Sequence, residues 1–253
     1  MALLEVQDVS LSFAGVRALD GVSLEVEAGS LVAVIGPNGA GKTSLFNCIS
    51  SIYEPTGGRV RLQDVEVQTL PPHEVASRGV ARMFQNLALF DNLTVLENLL
   101  VGRHHLCRTG FLRNALWSRA TRREEVGHRR RAEEVIEFLH LEKYRKTPVI
   151  ILPYGVRKRV ELGRALCMDP RLLLLDEPTA GLNQEETEDM ARYLLDIRED
   201  LGTTLVLIEH ELRFVMDLAD KVAVLDFGKK IAEGSPDEVR RDPKVIEAYI
   251  GHA

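Results

Sequence analysis

The chain is poor in cysteine, in long apolar runs and in any excess of basic charge. Its three cysteines, Cys48, Cys107 and Cys167, are odd in number and widely spaced. That pattern excludes a disulfide framework and predicts buried thiols in a reducing compartment. No metal-ligand spacing links them. The apolar runs are five residues or fewer, far below the length a bilayer requires. Met1–Asp8 carries Glu5 and Asp8 and no basic segment, so no secretory signal is expected there. With 32 Lys and Arg against 38 Asp and Glu, the net charge is −6, which gives no footprint for nucleic acid. Internal repeats and low-complexity tracts are also missing.

What remains is 253 residues of ordinary soluble composition, 45% hydrophobic and 28% charged, enough for a sizeable core. Residues 3–11, 22–26 and 59–67 alternate apolar and polar positions, as half-buried strands do. Residues 31–35 (LVAVI) and 171–175 are apolar throughout, as central parallel strands are. Residues 203–208 and 221–226 are further strands, and 229–233 is a return strand after Gly228. Helices are expected near 42–50, 72–79, 184–200, 211–219 and 236–250. Residues 94–147 differ, being helical by periodicity and rich in charge. Arg129–Arg131 reads as a solvated helix face, with docking to anionic lipid as the alternative. His104 and His105 there are adjacent, so on a helix they point in different directions and do not share a metal.

Residues 36–43 read GPNGAGKT. A Gly-x-x-x-x-Gly-Lys-Thr string between an apolar strand and a helix is a phosphate-binding loop. Gly36, Asn38, Gly39, Ala40 and Gly41 let backbone N–H groups face a phosphate, and the helix start adds a positive dipole end. Lys42 is expected to reach the β- and γ-phosphates, Thr43 to ligate Mg²⁺, and Ser44 to bond the α-phosphate. Residues 172–178 read LLLLDEP. Asp176 at the strand end is expected to hold Mg²⁺ through water, and Glu177 to polarise the attacking water. Two carboxylates after four leucines are costly to bury unless they have a task.

With those pieces in place the chain resembles the ATP-binding subunit of an ABC transporter over essentially its whole length. Gln85 in MFQN resembles the glutamine that touches Mg²⁺ and water and reports to the membrane partner. AGLN at 180–183 resembles the D-loop, and His210 in LIEH resembles the switch histidine. Phe13, with Val16 beside it, resembles the aromatic that stacks on adenine. The family signature is Leu-Ser-Gly-Gly-Gln; here it is Leu152, Pro153, Tyr154, Gly155 and Val156. Its serine and final glutamine are absent, but Tyr154, Gly155 and the helix that follows can still aim N–H groups at a partner's nucleotide. The tyrosine, AGLN, the run at 81–104 and the tail from IEHEL onward resemble the branched-chain amino acid importer branch.

The resemblance implies one α/β ATP-binding domain over 1–253. Its P-loop nucleotide-hydrolase core and flanking antiparallel β subdomain would occupy 1–93 and 156–253. A helical subdomain with the signature loop would be inserted at 94–155. It implies ATP and Mg²⁺ as cofactors, with Thr43, Gln85 and Asp176 around the metal and Glu177, His210 and Gln85 in hydrolysis. It implies two integral membrane permease subunits, an indirect extracytoplasmic binding protein, and a sister ATP-binding chain or a second copy. The location implied is peripheral, on the cytoplasmic face of the cell membrane. A relative that moves urea, short amides or lipopolysaccharide is the alternative. A soluble ABC protein would carry a long coiled-coil insertion or a second cassette, and an unrelated P-loop kinase or GTPase would lack the matches at 152–156, 180–183 and 207–210.

Overall fold

The computed structural model describes residues 2–85, 87–106 and 119–250, with the side chains of 119–121 and 250 outside the description. Cys107 and Trp117 therefore lie outside the described residues.

Two sheets organise the chain. The first is antiparallel, in the order β2-β1-β4-β5, from β1 (Ala2–Phe13), β2 (Val16–Glu27), β4 (Gly57–Leu62) and β5 (Val65–Glu66). β1 and β2 are longer than their alternating cores predict. They continue to a tight Ala14-Gly15 turn in which both residues have positive φ. The second sheet has the order β10-β9-β3-β8-β7-β6. Its strands are β3 (Leu31–Ile35), β6 (Val80–Met83), β7 (Leu172–Asp176), β8 (Thr204–Ile208), β9 (Lys221–Asp226) and β10 (Lys229–Gly234). All its pairings are parallel except β9 with β10, a hairpin through Phe227-Gly228. β3, β7 and β8 are buried at every position, so their uniform apolar character is the expected result of cover on both faces.

One face of the parallel sheet meets the antiparallel sheet across α1 (Lys42–Ile49), in a core holding Leu45, Phe46, Val34 and Ile208. α2 (Pro72–Ser77) lies at the edge of this layer through Val75. The other face carries the helices: α3 (Val95–Gly102), α4 (Arg119–Phe138), α5 (Tyr154–Leu166), α6 (Gln184–Glu199) and α7 (Leu212–Leu218). α3, α4 and α5 pack on one another, and α5 also touches β6, so packing runs on past residue 155 into the core. On α4, Arg131 pairs with Asp169 at 2.8 Å and Arg130 with Glu134 at 3.7 Å.

The single helix expected over 236–250 is two, α8 (Pro236–Arg241) and α9 (Pro243–Ile250). Pro243 has no N–H to give, and it holds Asp242 in an extended conformation at φ −71°, ψ 120°. Cys48 and Cys167 are free and buried, and burial pushes their thiols up to about 11 and about 12. No helix among the described residues is long and apolar enough to cross a membrane.

Candidate functional site

β3 delivers the chain into the glycine-rich loop, and two of its glycines are dictated by space. A Cβ at Gly36 would sit 2.0 Å from the Leu225 carbonyl oxygen, and one at Gly41 would sit 2.5 Å from that of Ala18. Gly41 caps α1 with φ 101° and no side-chain bond, so the first N–H groups of the helix are left for a ligand. Asn38, Gly39 and Thr43 are exposed, Ser44 is half-buried and Ala40 is buried beneath the loop. Lys42 is 6% exposed and turns inward, its Nζ donating to the carbonyls of Gly36 at 2.8 Å and Pro37 at 2.9 Å. Burial lowers its pKa, while Glu177 and Asp176 draw it back up.

β7 ends one strand away from β3, with β8 between them, and carries Asp176 to the same edge. Asp176 is 1% exposed. Its Oδ2 accepts from Arg82 Nη2 at 2.7 Å, whereas Oδ1 is buried with no hydrogen bond among the described residues. Burial raises its pKa and Arg82 opposes the rise. Glu177 follows in the left-handed region at φ 52°, its N–H donating to the Ile208 carbonyl at 2.9 Å. A non-glycine residue held there stores roughly 1–3 kcal/mol of strain.

The side chain so placed collects two distant groups. Gln85 Nε2 donates to Glu177 Oε2 at 2.9 Å, and His210 Nε2 lies 2.7 Å from Glu177 Oε1. Gln85 follows β6 and His210 follows β8, the neighbours of β7 on either side. A carboxylate steered from both flanks is positioned to take a proton from water. Phe13 and Val16 face each other across the β1–β2 turn, 43% and 71% exposed, with Phe13 edge-on to Tyr53 at 5.1 Å between ring centroids. An exposed aromatic there offers a stacking face.

Tyr154 and Gly155 are not part of this half. They open α5. The Tyr154 hydroxyl donates to the Ala180 carbonyl at 3.2 Å, and its ring packs on Gly181. The loop at 152–156 and the loop at 180–183 are thus joined within the chain. The helix begins at Tyr154, two residues before the expected start, because Pro153 caps it in an extended conformation.

Sequence reasoning missed four charged residues. Arg82 bridges Asp176 and Asn47, and its guanidinium lies over the Phe46 and Phe84 rings. Glu209 is buried and accepts from the Thr179 N–H at 3.0 Å, the Thr179 hydroxyl at 2.5 Å and the His210 N–H at 3.1 Å, tying the D-loop side to the histidine. Lys158 and Glu161 had the spacing of a solvated face but are buried on α5. Lys158 Nζ donates to the Gln85 carbonyl at 3.4 Å and Glu161 accepts from the Ala88 N–H at 3.3 Å. Burial lowers the pKa of Lys158 and raises that of Glu161. For Arg82 and Glu209 the advance signal was a charge in or beside an apolar strand; Lys158 and Glu161 gave none.

Arg82→Leu leaves Asp176 buried without its hydrogen-bonded cation, with only the longer-range charge of Lys42 to offset it. We expect a stability loss of about 3 kcal/mol, the scale for breaking a buried pair. Urea unfolding should show a lower midpoint at unchanged slope; a midpoint equal to wild type would show that the pair is idle.

A phosphate loop and an acidic strand end, one strand apart on a parallel sheet, define a P-loop nucleotide hydrolase. The chain belongs to the ABC transporter family: the family model of that description matches residues 19–180, and a second, described as branched-chain amino acid ATP-binding cassette transporter, matches residues 229–253. It is an ATPase of the ABC type. It is 41% identical, over 99% of this chain and 98% of the other, to the high-affinity branched-chain amino acid transport ATP-binding protein BraF of Pseudomonas aeruginosa. Identity to LivG of Escherichia coli strain K12, of the same description, is 39% over the same shares. A crystallised ATP-binding cassette of an ABC transporter in its ADP conformation superposes with a TM-score of 0.86 at 34% identity, covering 99% of each chain. A dimeric cassette in a post-hydrolysis state, bound to ADP and Pi, gives 0.78 at 25% identity, covering 92% of this chain and 98% of that one.

Proposed function

We propose that this chain is the ATP-hydrolysing subunit of a branched-chain amino acid importer. The convergence of Gln85 and His210 on the strained Glu177 carries the catalytic part of the reading. In it, Glu177 takes the proton of the attacking water, His210 meets the γ-phosphate, and Gln85 links the site to the membrane partner. Asn38, Gly39, Ala40, Gly41, Lys42, Thr43 and Ser44 hold the phosphates from the turn at Gly36, and Phe13 with Val16 receives adenine. The unpartnered, buried Oδ1 of Asp176 suits a cation, so Asp176, Thr43 and Gln85 would hold Mg²⁺. When bound, that ion offsets charge on the phosphates.

Among the described residues neither Tyr154 nor Gly155 hydrogen-bonds to the chain's own phosphate loop, which supports a role toward a facing chain's nucleotide. That facing chain is a sister ATP-binding subunit, with a second copy as the alternative. Closing the pair on ATP would drive two permease subunits, served by an extracytoplasmic binding protein, with this chain at the cytoplasmic face of the membrane. The helices at 94–155 form the subdomain that receives the permease. The names of BraF and LivG support the cargo.

Two measurements test this. Deleting the gene should remove high-affinity uptake of leucine, isoleucine and valine by the host; intact uptake of these with loss of urea or short amides would move the chain to a sister transporter. Lys42→Ala should weaken ATP binding by about tenfold or more, the scale of a hydrogen bond to a charged group. An unchanged ATP titration would remove Lys42 from the phosphates.

A further inference from the structure

α7, which starts two residues after His210, and α9 at the far end of the described chain form the walls of a cleft of about 650 Å³. That size is in the range of small-molecule sites. Leu212 and Met216 of α7 face Val245 and Ile246 of α9, so the walls are aliphatic. Leu212 is 38% exposed and Ile246 45%, so both present apolar surface to the cleft.

Charge of both signs stands among these side chains. Arg213 and Asp217 lie one turn apart on α7, and Arg240 comes from α8. Among the described residues none of the three side chains has an ion pair or a hydrogen bond. Other surface charges nearby do pair, such as Arg198 with Asp220 at 3.1 Å. An aliphatic cleft with free guanidinium and carboxylate groups matches a ligand that is apolar in the middle and zwitterionic at one end. A fatty acid would use the arginines and leave Asp217 against its own charge. A simple alkyl amine would do the reverse.

We infer that this cleft is a binding site for a free apolar α-amino acid. The carboxylate meets Arg240 and Arg213, a pairing that guanidinium geometry favours. The ammonium meets Asp217, and the aliphatic side chain lies between α7 and α9. The choice of a branched aliphatic amino acid rests on the importer reading; the chemistry of the cleft does not. The site adjoins the nucleotide loop, because the buried hydroxyl of Tyr249, which also lines the cleft, lies beside the Gly36 backbone without a well-formed hydrogen bond. ATP binding therefore reports whether the walls are intact.

The test is calorimetric titration of the full chain with L-leucine, and separately with ATP. L-leucine should bind saturably at one site per chain, with L-lysine and L-glutamate weaker by about tenfold or more. Arg240→Ala and Ile246→Glu, both at exposed positions, should each weaken L-leucine by about tenfold or more, the scale of one charge-assisted hydrogen bond or of a charge set in an apolar contact. Both should keep wild-type ATP affinity, which shows that they are folded. A wild-type chain that binds ATP but not L-leucine overturns this site and leaves the importer reading standing. Leucine binding that both variants retain, or equal binding of L-lysine, also overturns it. A chain that binds no ATP would instead sink the importer reading.

Discussion

Glu177→Gln should bind ATP as tightly as the wild type and hydrolyse it at least about 100-fold more slowly, the usual scale for a positioned general base. The amide keeps the size of the carboxylate and can still meet Gln85 and His210, which lie 2.9 Å and 2.7 Å from its oxygens. It cannot take a proton from water. Glu177 is only partly buried and its backbone bond to Ile208 does not involve the side chain, so folding should not suffer. With chemistry blocked and nucleotide held, paired cassettes should persist in ATP and separate in ADP. Single-turnover hydrolysis and gel filtration of the purified variant measure both effects. Normal turnover would remove Glu177 from the reaction and leave the strain at φ 52° without a task.

How far such a residue can be read in advance depends on how local its signals are. The phosphate loop was legible because strand, glycines, lysine and helix are contiguous, and Gly36 and Gly41 have no room for a Cβ. The apolar strands β3, β7 and β8 were legible because burial on both faces removes polar positions altogether. Glu177 and His210 came from strand ends, a local signal, but their 2.7 Å contact joins residues 33 positions apart. Arg82 was lost because its partner is 94 positions away and its own strand is short. On α5, Lys158 and Glu161 obey the spacing of a solvated face. They are buried beneath Gln85 and Ala88, which offer a carbonyl and an N–H to them. No helical period encodes such partners. The break at Pro243 was local, and a proline inside an apolar period should have been read as a boundary.

Gly155→Asp should stop the assembled transporter while sparing the isolated chain. Gly155 lies on the first turn of α5 and, among the described residues, makes no hydrogen bond to the chain's own phosphate loop; in the two-chain reading it faces the partner's nucleotide. A carboxylate there would oppose the phosphates and displace N–H groups from them. We expect turnover to fall by about 100-fold or more, the scale of losing one preorganised donor. The structure adds a second consequence. A Cβ at Gly155 would come within 2.1 Å of Glu186 Oε1, the far end of a flexible side chain that completes the capping box of α6 with Asn183. Moving it costs about 1 kcal/mol of helix capping, too little to unfold the chain. Gly155→Ala separates the causes, since it displaces Glu186 equally and brings no charge. If charge against a facing nucleotide is the cause, Gly155→Ala keeps most of its turnover and Gly155→Asp keeps none. Both single chains should then titrate with ATP as the wild type does. Equal loss in the two variants would trace the defect to Glu186 and α6. A large fall in ATP affinity for the isolated Gly155→Asp chain would mean that Leu152–Val156 serves its own site, and the two-chain reading of this loop would fall with it.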